Sequence, residues 1–280
     1  MDKTLEQQIQ SWLQEDIGDG DHTSLACIPE NAIGKSRLII KEKGVLAGVE
    51  IAQKIFATHD PSLKMNIFIH DGQEVNIGDV AFEVEGKVQS LLQTERVMLN
   101  VMQRMSGIAT TTRHYVKQLE GLKTKILDTR KTTPGLRLLE KEAVRIGGGV
   151  NHRLGLYDMI LIKDNHVDFA GGIRNAIELT KQYLQAHHKK LRIEIEVRNF
   201  KEIEEVLKVG GVDRIMFDNF SVEQTRKAVL MIQKRYETES SGGIIFETLR
   251  AYAECGVDFI SVGALTHSVN GLDMSFKAVK

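Results

Sequence analysis

The stretch DTRKTTPGLR, residues 128 to 137, sets an acid, two bases and three threonines into six positions ahead of Pro-Gly. An apolar run, TKIL, precedes it, and afterwards Leu136, Leu139, Ala143 and Ile146 recur on one helical face, so the charges occupy a strand-to-helix turn. Thr133 is the expected N-cap, Pro134 the first helical residue and Gly147 the stop. Such a turn aims free backbone N–H groups and the positive end of a helix dipole at one point, which suits an anion. Lys163, Asp164, Asn165 and His166 close a second apolar run, DMILIKD. In LRIEIEV, strict alternation aims Glu194 and Glu196 to the side opposite Ile193, Ile195 and Val197. A half-exposed edge strand explains that segment taken alone equally well.

Asp218 ends DRIMFD. With Glu196 it forms an acid pair able to hold Mg²⁺, directly or through water, if a phosphorylated substrate brings further oxygens; by themselves the two acids fit equally well as ion-pair partners of Lys131 or Lys163. SSGG (240 to 243) and SVGALTHS (261 to 268) are small-residue turns in consecutive βα units, the place where barrels commonly bind phosphate through backbone N–H groups. His152 and Arg153 lie in GGGVNHRLGLYD, which is neither a GxGxxG nor a Walker A pattern. Arg130, Lys131, His152, Arg153 and Lys163 thus make a cup of cations. They repel one another unless an anion joins them, so the expected ligand carries phosphate and carboxylates.

The elements that must hold these groups follow a βα rhythm from about residue 121 onward. Six strand candidates occur: TKILDT, DMILIKD, LRIEIEV, DRIMFD, a weak one near YETES, and VDFISVG. Six is fewer than the eight of a complete (β/α)₈ barrel. The first hundred residues read as α+β: SRLIIKEKGVLAGVEIAQKIFATH mixes strand and helix, DGQEVNIGDVAFEVEGKVQSLL reads as a β-hairpin region, and TERVMLNVMQRMSGIATTTRHYVKQL is largely helical. The expected division is an N-terminal domain over 1–105 and a site-bearing domain over 106–267, with 268–280 packing back on the first.

Length, charge and cysteine usage narrow the class. With 280 residues, 42% hydrophobic and 27% charged, the chain is an ordinary globular protein with room for a sizeable core. A formal net charge of −1 argues against a nucleic-acid partner. Cys27 and Cys255 stand in no metal-like spacing and are expected as small core residues in a reducing compartment. The first residues are acidic and amphipathic, unlike a signal peptide, and no apolar run is long enough to cross a membrane. The expected location is the cytoplasm.

Eight segments in order, EDIGDGDHTS, TERVMLNVMQRMSGIAT, DTRKTTPGLRLLEKEAVRIGGGVNHRLGL, LIKDNH, IEIEV, FDNF, SSGG and SVGALTHS, resemble the quinolinate phosphoribosyltransferases (nicotinate-nucleotide pyrophosphorylases, carboxylating). The resemblance spans nearly the whole chain. It implies an N-terminal α/β sandwich domain with an open, incomplete parallel α/β barrel. It also implies a reaction of quinolinate with phosphoribosyl pyrophosphate and Mg²⁺, giving nicotinate mononucleotide, pyrophosphate and CO₂ for NAD biosynthesis. By the same resemblance Arg130, His152, Arg153 and Lys163 hold quinolinate, with Arg96 reaching in from the partner of a homodimer. Lys131, Glu196 and Asp218 serve phosphoribosyl pyrophosphate and its metal, while Ser241, Gly242 and Gly263 bind phosphate. The family's usual apolar strand before the SGG turn is replaced here by YETES.

Three other readings compete. A nicotinate phosphoribosyltransferase of related fold binds one carboxylate and releases no CO₂, which the number of cations disfavours. An aldolase-like lyase using Lys163 as a Schiff-base amine leaves the phosphate turns and paired acids without a role. An RNA-binding module is disfavoured by local basic clusters and 6% aromatics.

Overall fold

The computed structural model describes residues 2–279, with side chains from residue 5 onward. The chain divides into two compact units: one reaches to Arg113 and adds Arg145–Gly147 and the segment from Ser268, and the other takes His114–Val144 and Gly148–His267. The boundary expected near residue 106 falls inside an unbroken helix, Val88–Gln118, so no break in local structure marks it.

In the first unit four antiparallel strands pair in the order Met274–Ala278, Ile33–Ile40, Val80–Lys87, Lys64–Ile67. The C-terminal strand therefore completes the N-terminal sheet. Val80–Lys87 pairs with neither Glu74–Val75 nor a strand after it: Glu74–Val75 instead joins Gly44–Val45, so the hairpin reading of that segment is corrected. Leu38, Ile40, Phe82 and Val84 are fully buried beside Ala52, Ile55 and Phe56 of the helix Val49–His59. Phe82 and Phe276 lie with their ring centroids 6.2 and 6.0 Å from that of Phe56. Each such side chain stabilises the unit by about 1.5–3 kcal/mol through removal from water.

The second unit carries six parallel strands in the order Lys125–Leu127, Phe259–Ser261, Glu237–Ser241, Arg214–Asp218, Ile193–Val197, Ile160–Ile162. Its two edge strands do not pair with each other; only an isolated bridge, Leu127 to Val150, extends beyond the first edge. The sheet of this α/β unit is open. Helix starts after the strands are well specified: the Asn199 side chain accepts the Glu202 N–H at 3.1 Å, and Ser221 and Gln224 cap each other reciprocally.

All six strand candidates form. The weakest, YETES, becomes a full strand, Glu237–Ser241, buried at its three central positions. Its polarity has a physical reason, since Glu237 and Glu239 both meet Arg214, while Thr238 is held by Asp258 through hydrogen bonds of 2.8 and 2.9 Å. The helix after DTRKTTPG starts later than Thr133, at Arg137. Glu140 accepts the Thr133 N–H at 3.2 Å, and Leu136 N–H reaches Thr133 O at 3.0 Å, so Pro134–Leu136 make a turn instead of a first helical turn. Cys255 is buried as expected, but Cys27 is exposed.

Candidate active site

Asp128 organises the first strand end. Fully buried, its carboxylate accepts from Lys141 Nζ, from Asn151 Nδ2 at 2.6 Å and from the His152 N–H at 2.8 Å. Burial pushes this carboxyl up, opposed by Lys141 and these donors. Lys141 also donates to His152 O at 3.0 Å. The loop carrying His152 and Arg153 is thereby tied through both the N–H and the carbonyl of His152 to Asp128 and its partner Lys141.

Beyond these ties lies a cavity of about 750 Å³ at the C-terminal ends of the strands, lined by Arg130, Lys131, Arg153 and Lys163 on the cationic side. Arg130 and Lys131 are exposed and have no carboxylate within ion-pair distance among the described residues. The Lys163 ammonium stands 3.9 Å from Glu196. Burial, then the neighbouring Arg130 charge, lowers the pKa of Arg153, as expected for cations gathered without an anion. Arg153 is steadied by donation from Nη1 to Met159 O at 3.2 Å.

Opposite stand the acids and the glycine turns. Glu196 and Asp218 line the same cavity. Burial first, then the Asp218 charge, raises the Glu196 pKa. Two carboxylates lining one cavity form an all-oxygen set suited to a hard cation such as Mg²⁺. Ser241, Gly242 and Gly263 also line the cavity. Gly242 has φ +89°, and a Cβ there would fall 2.3 Å from Asn219 Oδ1; only glycine fits. At Gly263 an added Cβ would fall 3.1 Å from Lys131 Cδ, so the lysine lies close over that turn. Thr266 Oγ1 donates to Lys131 O at 2.9 Å and holds the two loops together.

The floor holds charges that sequence reasoning did not assign. Glu194 and Glu239 are fully buried and Arg214 nearly so. Arg214 donates from Nη1 to Glu239 at 2.9 Å and from Nε and Nη2 to Glu237, both at 3.1 Å, while Arg192 donates to Glu237 at 2.6 Å. Burial works against the Arg214 charge, but Glu194, Glu239 and Glu237 outweigh it and hold the pKa above its usual value. ETESS is polar at all five positions, so unlike IEIEV it carries no polar–apolar alternation that would mark Glu239.

His152 departs from its expected part as a cation. Its ring lines the cavity, yet burial lowers its pKa and Nδ1 accepts the Arg153 N–H at 2.7 Å. It is a neutral imidazole with its proton on Nε2. Arg96 lies exposed on the helix Val88–Gln118 in the first unit and is not among the residues lining the cavity. The remaining expected site residues, Arg130, Lys131, Arg153, Lys163, Glu196, Asp218, Ser241, Gly242 and Gly263, are brought together.

Comparison with known proteins identifies the family. The N- and C-terminal domains of quinolinate phosphoribosyl transferase match residues 21–106 and 108–277. The chain belongs to the quinolinate phosphoribosyltransferase family. It is 45% identical over 284 residues to quinolinate phosphoribosyltransferase [decarboxylating] 1b of Nicotiana tabacum, covering 96% of this chain and 81% of that one. It is 42% identical to a probable nicotinate-nucleotide pyrophosphorylase [carboxylating] of Bacillus subtilis, covering 97% and 92%. Among solved structures, NadC from Streptococcus pyogenes superposes with a TM-score of 0.94 at 38% identity, over 100% of this chain and 99% of that one. Membership in the quinolinate phosphoribosyltransferase family accounts for both units at once: the N-terminal match falls wholly within the first, and the C-terminal match covers the second and adds the segment from Ser268 that returns to the first. No helix among the described residues is long and apolar enough to cross a membrane, and some plant relatives are named as mitochondrial or chloroplastic.

Proposed function

We propose that the protein transfers the phosphoribosyl group of phosphoribosyl pyrophosphate to quinolinate with loss of CO₂, giving nicotinate mononucleotide and pyrophosphate for NAD biosynthesis. The observation that carries this reading is a single cavity in which Arg130, Lys131, Arg153 and Lys163 face an acid pair and a glycine turn that admits no side chain. Four cations suit a dicarboxylate and a polyphosphate together, and exceed what one carboxylate needs. A Schiff-base role for Lys163 finds no support, because its ammonium is exposed and set against Glu196.

Arg130, Arg153 and Lys163 take the two carboxylates of quinolinate; the turns at Ser241, Gly242 and Gly263, with Lys131, take phosphate. The pyridine nitrogen attacks the anomeric carbon as the bond to pyrophosphate breaks. Positive charge grows on the sugar and negative charge on the leaving group, and Glu196 with Asp218 favours the first while Lys131 favours the second. The ring nitrogen, now cationic, stabilises by its charge the electron pair left on the adjacent carbon when its carboxylate departs as CO₂; that pair then takes up a proton to form the C–H bond, and the nitrogen stays cationic in the product. Mg²⁺ belongs to the reading as the cofactor held by Glu196 and Asp218, directly or through water, where it would neutralise pyrophosphate charge.

A homodimer belongs to it as well, with Arg96 completing the partner's site; Arg96→Ala and Lys131→Ala chains, refolded together, should regain roughly a quarter of normal activity under two-fold pairing, and none if sites are not shared. A cytoplasmic location rests on the unpaired Cys27 and Cys255, which suit a reducing compartment.

The test is to measure CO₂ and pyrophosphate with quinolinate, phosphoribosyl pyrophosphate and Mg²⁺, and again with each omitted. Equal release in the complete mixture alone is expected. Release of CO₂ without phosphoribosyl pyrophosphate, or none under any condition, ends the reading.

A further inference from the structure

The floor cluster poses a problem of accounting. Both oxygens of Glu194 and Oε1 of Glu239 are buried without a hydrogen-bond partner, as is Nε2 of His152, and an unsatisfied buried polar atom costs more than a hydrogen bond returns. Three glutamates, 194, 237 and 239, share two arginines, Arg192 and Arg214. Within ion-pair distance there is one carboxylate more than there are arginines; the Arg153 charge acts on Glu194 from farther off. His152 cannot neutralise the extra carboxylate, because Nδ1 already accepts the Arg153 N–H and a ring in that bond carries a single proton, on Nε2.

Two ways of filling the gap present themselves. His152, Glu194 and Glu239 offer three ligand atoms within 4.8 Å of one another, so a metal ion is one. It would have to displace the Nε2 proton and compete with Arg214, whose Nη1 already sits 2.9 Å from Glu239 Oε2. The cluster offers no fourth His, Cys, Asp or Glu ligand among the described residues. A proton is the other. Placed on Glu239, it removes the surplus charge and donates to Glu194. Glu194, left ionised, then faces His152 Nε2 at 2.9 Å, the nearer of the two carboxylates, since Glu239 lies at 3.6 Å. Burial, then the Glu194 charge, drives the Glu239 pKa up to about 8, in keeping with that placement.

The consequence reaches the substrate. The imidazole stands against Glu194 on one edge, and on the other Nδ1 holds the Arg153 N–H; Lys141 holds the carbonyl of that same peptide, and Asp128 the N–H of the preceding one. We propose that Glu239, acting as a neutral acid on Glu194, is a positioning residue for quinolinate: the pair locks His152 as its Nε2–H tautomer and so sets the approach of the Arg153 guanidinium to the dicarboxylate. This rests on the quinolinate reading of the cavity. It also gives His152 a part other than that of a cation: the ring is the strut between the floor and Arg153.

Two variants and one measurement on the unmodified protein test it. Glu239→Gln keeps the shape, the neutrality and a donor to Glu194, and should leave the quinolinate KM within about 3-fold. Glu239→Leu keeps the approximate size and removes the donor; its quinolinate KM should rise about 10-fold or more through misplacement of Arg153, with the KM for phosphoribosyl pyrophosphate unchanged. A Gln variant as impaired as the Leu variant, an unchanged quinolinate KM in Glu239→Leu, or parallel loss for both substrates would overturn the proposal. Should Glu239→Leu not fold, nitrogen-detected NMR of His152 in the unmodified protein decides alone. A ring that stays as the Nε2–H tautomer is expected; an Nδ1–H or doubly protonated ring at neutral pH overturns the proposal. The ring measurement needs no turnover, so failure of the quinolinate reading would appear separately, as an unmodified enzyme inert toward quinolinate.

Discussion

The mouth and the floor of the open sheet hold similar numbers of charges and treat them in opposite ways. At the floor Glu194, Glu239 and Arg214 are buried, and every charge is set against an opposite one or a proton. At the mouth Arg130 and Lys131 are exposed and without a carboxylate partner among the described residues. A buried charge without compensation is strongly destabilising, so the floor must be complete before any ligand arrives. Exposed cations tolerate incompleteness because water solvates them, which leaves their binding capacity for an anion. The floor is scaffold with consequences for geometry; the mouth is where affinity is stored.

That contrast ranks the expected effects of substitution. Glu196→Gln and Asp218→Asn, which keep shape and remove charge beside the reacting sugar, should lower kcat by about 100- to 1000-fold while leaving quinolinate affinity, read by calorimetry, within a few-fold. Equal losses in both would merge these acids with the cation cup. Arg153→Ala should weaken quinolinate binding by about 100-fold, since removing one partner of a half-buried charge contact costs ~2–5 kcal/mol. Lys163→Ala, whose ammonium is half exposed, should weaken it by only about 10-fold, the smaller value reflecting solvent screening. A larger loss at Lys163 than at Arg153 would reverse the assignment of depth within the mouth.

The smallest effect sharpens the floor. An acid whose pKa is raised on folding binds more protons folded than unfolded between its unfolded value and about 8, so its contribution to stability falls as pH rises across that window. Glu194, His152 and Arg214 are the charged and titratable groups facing Glu239. Glu239→Gln removes the titration, and Tm of the variant relative to the unmodified protein should climb from pH 5 to pH 8 by several degrees, on the scale of ~2–4 °C per kcal/mol for a chain of this size. A constant difference across that range would place the proton elsewhere.

Much of the mouth was legible in the sequence because it is local. Arg130 with Lys131, Lys163 after its strand, Asp218 at the end of DRIMFD and Gly242 in SSGG each announce themselves within a few residues of an apolar run or a turn. The floor was harder to read because its partners are remote. Arg214 meets Glu239 and Glu194 from positions 25 and 20 residues away, as 239 − 214 and 214 − 194 give, and nothing in ETESS taken alone marks it as the buried center of a parallel sheet. The start of the helix after Pro134 was misplaced for a related reason: Glu140, on the next turn, captures the Thr133 N–H, a contact made only once the helix exists. The division inside Val88–Gln118 carries no local signal at all, since the helix continues through it.

The most direct test of the contrast is calorimetric titration of the unmodified protein with quinolinate and, separately, with nicotinate. A mouth with unpaired cations for two carboxylates should bind the dicarboxylate about 10- to 150-fold more tightly than the monocarboxylate, the worth of one additional charge-assisted contact at ~1.5–3 kcal/mol, and the gap should narrow as salt is raised. Equal affinities, or tighter binding of nicotinate, would contradict the account.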